Sequence, residues 1–442
     1  MGADGKPHNN FVPMKPDNVD KLVDHLFRHE SGKIVSVLTR TFGTENLEIA
    51  EDVVQDALLL AVQLWPVHGI PDNPSAWLYR AARNKAVDIL RRNKHAIRLA
   101  ADEGSDFPSP PLSIPETMDE PGHEEIVKDD MLRMMFVCCH PSIPEENQVT
   151  LILKVLCGFS TGEIARAFLT SEETISKRLY RTKEFFRNNK VEFAIPSQDE
   201  VRSRTEEVLN AVYLLFNEGY NSTESEELIR KDLMEEAMLL CAMLTENPLT
   251  SLPETYALMA LMCFQSSRND SRLSPEGEII LMQDQDRSKW NFGLIVAGNE
   301  YMNKSAFGGS LSRYHLEAAI AFEHSTAGSF EATNWPRILE LYEALCRISP
   351  SPVLEMNKAV AAMKVWGARE ALNILTNIGD KKKIETYYIY HSLIGDIYAQ
   401  LERRGEALRA FETAMSMTRS EAERKLLRAK IAAVTARNAA AV

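Results

Sequence analysis

Residues 158–189 read GFSTGEIARAFLTSEETISKRLYRTKEFFRNN, and two helix starts lie within them. Ser160 to Glu163 has the spacing of a capping box, in which hydroxyl and carboxylate satisfy each other's open backbone donors. Thr170 to Glu173 repeats that spacing ten residues later. A second start so soon leaves room for one short helix and a tight turn, the helix-turn-helix layout. Ala165 is small where the helices would cross, while Ile164, Phe168, Ile175 and Leu179 supply packing. The second helix is expected to expose Thr174, Ser176, Lys177, Arg178, Arg181 and Lys183. Such residues reach base edges and phosphates when a helix enters the major groove. Leu169 occupies a turn position often given to glycine because φ there is positive, so the turn is expected to shift. The same residues would also serve an ordinary helical hairpin with a charged surface.

Upstream, FPSPPLSIPETMDEPG (Phe107 to Gly122) cannot hold a helix or a central strand, because its prolines lack donors and restrict their neighbours. From Asp102 to Asp130 ten acids stand against one base, Lys128. The stretch 98–128 therefore reads as a flexible acidic tether. A second break falls at Ile195-Pro196-Ser197. Modules are expected at 17–97 and 129–192, with a long extension over 199–442. Nearly everything between the breaks has helical period, so the fold class is all-α.

In the first module, Ala50, Val53, Val54, Ala57, Leu58, Ala61 and Val62 recur at helical spacing and turn Asp52, Gln55 and Asp56 outward. That helix is expected to end near Trp65-Pro66, and the next to begin with Ser75 as N-cap. Leu78, Ala82, Ala86, Ile89 and Leu90 form its buried stripe. Trp77, Arg80, Arg83, Asn84, Val87 and Arg91 share the opposite face. Seven bases stand against one acid, Asp88, between Arg80 and Arg98. A cationic face headed by an aromatic suits phosphate contacts plus stacking on an unpaired base. A solvated surface with Trp77 plugging the core would use the same residues.

AEDVVQDALLLAVQLWP followed by WLYRAARNKAVDILRR resembles region 2 of the extracytoplasmic-function (ECF) sigma factors, and 158–189 is similar to their region 4. The resemblance implies an RNA polymerase sigma factor that binds the core through the β′ clamp and β flap and recognises promoter DNA. It implies polymerase contacts at Asp52, Gln55 and Asp56, and −10 contacts at Trp77, Arg80, Arg83, Asn84 and Arg91. It implies −35 contacts at Thr174, Ser176, Lys177, Arg178, Arg181 and Lys183, and a tether in the RNA exit path of polymerase. Phe136 to Pro141 would belong to the helix leading into region 4, with Cys138 and Cys139 structural. The loop Val67 to Ser75 departs from the family in carrying PDNP, which leaves open the −10 bases that are read.

The extension exceeds a minimal member of that family. Near its end Gly395, Tyr398, Ala407, Phe411 and Ala414 follow the small-and-aromatic pattern of a tetratricopeptide repeat. Glu370, Ala371, Leu372 and Leu375, and before them Ile338, Tyr342, Leu345 and Pro350, occupy corresponding places. YLLFNEGYNS, RKDLMEEAMLL, ALMALMCFQSSR and LMQDQDRSKWN look like the extension of one ECF subgroup, which ends in a tetratricopeptide-like domain. Asp284, Asp286, Arg287 and Trp290 are expected to form an ion-pair network. His315 and His391 are expected as core or repeat-surface histidines. Such repeats offer a concave surface for a soluble regulatory protein, or tune the factor in cis.

Composition bounds the function further. The chain has 442 residues and a net charge of −13, which argues against indiscriminate coating of nucleic acid. No run of about eighteen apolar residues suggests a membrane span, and the N-terminus has no secretory signal, so a cytoplasmic protein is expected. The six cysteines (138, 139, 157, 241, 263 and 346) show no C-x-x-C spacing, so buried thiols are expected rather than a metal site. No catalytic constellation or cofactor motif is apparent. A second class, a one-component regulator with a repeat-type sensor, would explain 158–189 but leave the Trp77 to Arg92 helix without a task.

Overall fold

A computed structural model describes residues 16–100, 123–168, 170–220, 229–309, 311–379, 384–418 and 420–439. The middle of the tether, Leu169 and the burial of Leu90 lie outside the described residues. Eighteen α-helices and no strand occur among those described; a single antiparallel bridge joins Leu273 and Ile279. The described residues form two compact units, Met1–Leu214 and Leu215–Val442.

The first unit opens with α1 (Pro16–Phe42), α2 (Leu47–His68) and α3 (Pro74–Ala100). Leu47, Ala50, Val53, Val54, Ala57, Leu58, Ala61 and Trp65 of α2 are buried, as its spacing predicts except at one place. Val62 lies outward, 36% exposed, and Trp65 completes the stripe instead. Pro66 does not end α2: the helix runs on to His68, where Gly69 takes φ 86 and donates to the Trp65 carbonyl. The cap of α3 is Asn73 rather than Ser75. Its side chain accepts from Ala76 N at 3.0 Å, and Pro74, whose missing N–H costs nothing in a first turn, opens the helix.

Next come α4 (His123–Cys138), α5 (Glu145–Val155), α6 (Thr161–Ala167) and α7 (Glu172–Asn189). Since α3 reaches Ala100 and α4 starts at His123, both ends of the span 98–128 are helical. The two modules are not held apart: they pack on each other. Gly32 of α1 lies so close to Leu156 that a Cβ there would fall 2.2 Å from its carbonyl oxygen. Arg40 of α1 pairs with the fully buried Asp130 of α4 at 3.3 Å. Thr44 donates to the Val191 carbonyl at 2.5 Å. The first turns of α8 (Gln198–Tyr220) also belong to this unit, because Arg204 donates to the carbonyls of Cys139 and Phe136. The second compact unit begins at Leu215, within α8.

The second unit continues through α9 (Lys231–Glu246), α10 (Pro253–Ser266) and α11 (Phe292–Ser305). Almost every side chain of α10 is buried, and Gly298 of α11 leaves space for the Phe264 ring. Then follow α12 (Arg313–Thr326), α13 (Trp335–Ile348), α14 (Pro352–Trp366), α15 (Ala368–Thr376), α16 (Tyr388–Gln400), α17 (Arg404–Met417) and α18 (Glu421–Ala439). Their cores form a relay. Ile320, Leu345 and Ala362 join α12 to α14; Ala359, Leu375 and Ile397 join α14 to α16; Phe411 and Leu427 join α17 to α18. Phe411 also covers Gly395, whose Cβ would meet the ring at 2.6 Å. Cys138, Cys139, Cys157, Cys241 and Cys263 are buried free thiols, and burial pushes the Cys263 thiol up to about 12. No helix among the described residues is long and apolar enough to cross a membrane.

Candidate nucleic-acid and polymerase interface

Two surfaces of the first unit carry the residues singled out above. On α2, Asp52 and Gln55 are exposed, and Asp56 pairs with Lys85 of α3 at 2.5 Å. Partial burial lifts the Asp52 carboxyl above its ordinary value against the pull of Lys183, with Glu48 and Asp56 adding repulsion. Beside these polar groups stand Leu59, 60% exposed, Leu60 and Val67, which sequence reasoning passed over. Exposed leucines at i+4 and i+5 from Gln55 were the available signal. A carboxylate and amide row flanked by uncovered apolar side chains is the composition of a protein-docking face.

The head of α3 supports a cleft of about 480 Å³, lined by Leu64, Trp65, His68, Gly69, Pro71, Asp72, Asn73, Trp77 and Arg80. Trp77 is half-buried and meets Trp65 edge to face, ring centroids 5.4 Å apart. Trp77 thus serves the core and walls the cleft at once. Arg80, Asn84 and Arg91 are exposed, and Arg83 is half-buried. An open aromatic wall beside a row of cations can receive a planar ring while holding the adjoining phosphates.

On the second surface, Ser160 and Glu163 form their capping box, with Glu163 N donating to Ser160 Oγ at 3.1 Å and Ser160 N donating to the carboxylate at 2.9 Å. The cap of α7 is Ser171, one residue beyond Thr170: it accepts from Thr174 N at 3.2 Å, while Thr170 N is spent on the Ala165 carbonyl. Ile164, Ala165, Ile175 and Leu179 are buried where α6 and α7 meet, and Phe168 is half-buried. Ser176, Lys177 and Arg181 are exposed, joined by Tyr180 at 59%, a residue the charge pattern did not suggest.

Three expected contacts stand differently. The Thr174 hydroxyl is hydrogen-bonded to Ser171 Oγ at 2.9 Å. Arg178 turns back to Glu146 of α5. Lys183 faces α2 and pairs with the buried Glu51 at 2.7 Å, next to Arg187 with Glu48 at 3.1 Å. Lys183 lies seven residues past Ser176, but only the packing of the two modules reveals that its side chain leans toward α2.

The extension holds its expected residues in other roles. His315 caps α12 through Ser312, and His391 contacts the Glu385 carbonyl. Asp284 and Asp286 make no ion pair with Arg287: Asp286 caps Ser288, and Arg287 donates to the carbonyls of His324 and Ala327. No group of His, Cys, Asp and Glu among the described residues is placed to hold a metal ion.

The chain matches the family models for sigma-70 region 2 over residues 26–96 and sigma-70 region 4 over 133–186. Residues 204–306 match a family of unknown function, DUF6596. An uncharacterised protein of Rhizobium meliloti is 34% identical over 387 residues, covering 87% of this chain and 90% of that one. A protein of Xanthomonas campestris pv. campestris named "Probable RNA polymerase sigma factor RfaY" is 25% identical over 198 residues, 40% of this chain and 46% of that one. No solved structure matches. With both regions in order on the helices whose surfaces are described above, and the DUF6596 segment behind them, the chain belongs to the sigma-70 family of transcription initiation factors.

Proposed function

We propose that this protein is an ECF-type sigma factor of the cytoplasm, an initiation factor and not an enzyme. Its acidic and apolar α2 face docks on the β′ clamp, with Asp52, Gln55 and Asp56 as the polar contacts. The β flap receives region 4. The observation that carries the reading is the open cleft lined by Trp65 and Trp77, set at the start of a helix that exposes Arg80, Asn84 and Arg91. A −10 base drawn out of the duplex stacks in that cleft while the arginines hold the strand. The α7 face of Ser176, Lys177, Tyr180 and Arg181 lies in the −35 major groove, its cations neutralising phosphates. Helix pairs such as α16 and α17, where Gly395 underlies Phe411, support a tetratricopeptide-like end, and that extension regulates the factor in cis.

The test is run-off transcription with purified core polymerase. The full chain is expected to confer initiation at discrete start sites on genomic fragments, and Trp77→Ala to lose it on duplex but regain it on pre-melted templates. Core polymerase that binds the chain yet starts nowhere specific would defeat the reading. Removal of residues 215–442 is expected to change the transcript yield; an unchanged yield would remove the cis-regulatory part alone.

A further inference from the structure

The irregular chain between α10 and α11 brings three arginines together. Arg272 is 9% exposed; its guanidinium lies 3.8 Å from the Tyr220 ring centroid, and Nη1 donates to the Tyr220 carbonyl at 2.5 Å. Arg268 donates to the Tyr220 hydroxyl through Nε at 3.0 Å and Nη2 at 2.5 Å. Arg287 lies 4.4 Å over Trp290 and donates through Nη1 to the carbonyls of His324, at 2.9 Å, and Ala327, at 2.7 Å. None of these partners is a carboxylate; against its burial, the Tyr220 phenol is held below its ordinary value by Arg268 and Arg272.

The nearby acids among the described residues are engaged elsewhere. Asp270 pairs with Lys231 at 2.6 Å and Asp286 caps Ser288; Glu331 accepts from Ser329 at 2.9 Å and reaches Arg287 through its field without forming an ion pair. Four donors or donor-capable atoms are left buried with no hydrogen-bond partner: Arg268 Nη1, Arg287 Nη2, Trp290 Nε1 and His324 Nδ1. Trp290 is itself only 8% exposed. Burial, joined by the fields of Arg268 and Arg287, pushes the His324 imidazole down to about 4, and burial with the field of Arg268 also lowers Arg272 and Arg287. His324 is thus neutral at ordinary pH and cannot be counted as a further cation.

Desolvated guanidinium groups with open N–H bonds are costly unless an anion meets them, and their planar forks match oxyanions. Donors from two guanidinium groups, an indole and an imidazole also call for acceptors in more than one plane, as a tetrahedral oxyanion offers and a carboxylate does not. We propose that Arg268, Arg272 and Arg287, with Trp290 and His324, form a binding site for a phosphate group, free or carried by a small metabolite. Arg272 positions Tyr220 and adds field; Arg268 and Arg287 supply the direct contacts.

The experiment is calorimetric titration of the full chain, purified without phosphate, with inorganic phosphate, a sugar phosphate and a nucleoside monophosphate at constant ionic strength set by chloride. Saturable binding is expected, weakened at least tenfold by Arg268→Gln and by Arg287→Gln and unchanged by Lys231→Ala. Tighter binding of either monoester than of inorganic phosphate would identify a metabolite as the source; the reverse order would identify the free ion. Should a glutamine variant fail to fold, Arg268→Lys is substituted, and the His324 imidazole resonances of the wild-type chain are followed on adding phosphate, where a saturable shift is expected. No saturable binding by any of the three, or equal binding by folded Arg268 and Arg287 variants, would overturn the site.

Discussion

Lys177, Arg178, Lys183 and Arg187 of α7 each sit within ion-pair distance of a carboxylate, whereas Arg268, Arg272 and Arg287 of the extension have none among the described residues. Apart from Lys183, whose partner Glu51 is buried, the first group lies at or near the surface, where a carboxylate can be exchanged for a phosphate at little cost, because exposed pairs are worth at most about 1 kcal/mol. Cations meant to meet a large, mobile polyanion are well served by such loose partners. The second group is fixed by carbonyls, a phenol and ring faces, with Arg272 buried and Arg268 and Arg287 partly so. Its charge is committed to one place. Position in the fold, not residue type, decides which of the two tasks a cation can perform.

Arg272→Ala would strain that contrast most. It removes a buried cation–π contact and its packing on Tyr220, so chemical unfolding should show a loss of about 2–4 kcal/mol, from a desolvated cation–π pair plus a cavity. A loss under about 0.5 kcal/mol would mean that this arginine is no more committed than a surface one. Lys183→Ala comes next, because it strands the buried carboxylate of Glu51; a loss of about 2–3 kcal/mol is expected, below that of a fully buried pair since Lys183 is partly exposed.

Asp130 sharpens the comparison from the acid side. Burial pushes its carboxyl up to about 6 despite Arg40 and Arg133. Its folded value exceeds its unfolded one, so its contribution to stability is present below about pH 4 and lost as pH rises through about 6. Relative to wild type, Asp130→Asn should flatten the stability profile between those limits, by an amount on the order of 1–3 kcal/mol. An identical slope in both chains would assign the profile to another group. The smallest stability effect belongs to Lys177→Ala, expected within about 0.5 kcal/mol, while promoter binding weakens with a salt slope lower by about one. If binding and its slope stay unchanged, the α7 face does not meet phosphate.

What could be read from the sequence follows the range of the interactions involved. The α2 stripe and the Ser160–Glu163 box depend on neighbours three or four residues away, so their spacing sufficed. Ser171 displaced Thr170 as cap by a single position, a choice set by where the preceding turn closes. The ion pairs of Arg178 and Lys183 are not legible in the local spacing, because Glu146 and Glu51 come from other helices. Residues 267–291 were harder still. Their arginines answer to carbonyls of Tyr220, His324 and Ala327, and backbone oxygen leaves no trace in composition. The cleft at Trp77 is half legible: the tryptophan stands out in its helical face, but the burial of Trp65 and the Asn73 cap that shape the cleft do not.

The missing side chain at position 32 has a mechanical consequence. Because a single methyl there would collide with the main chain at Leu156, Gly32→Ala acts as a wedge between regions 2 and 4 that alters no charge and touches neither the cleft nor the exposed face of α7. A wedged chain that transcribes more readily than the parent would mark the intramolecular contact as a brake; one that transcribes less would mark it as a scaffold.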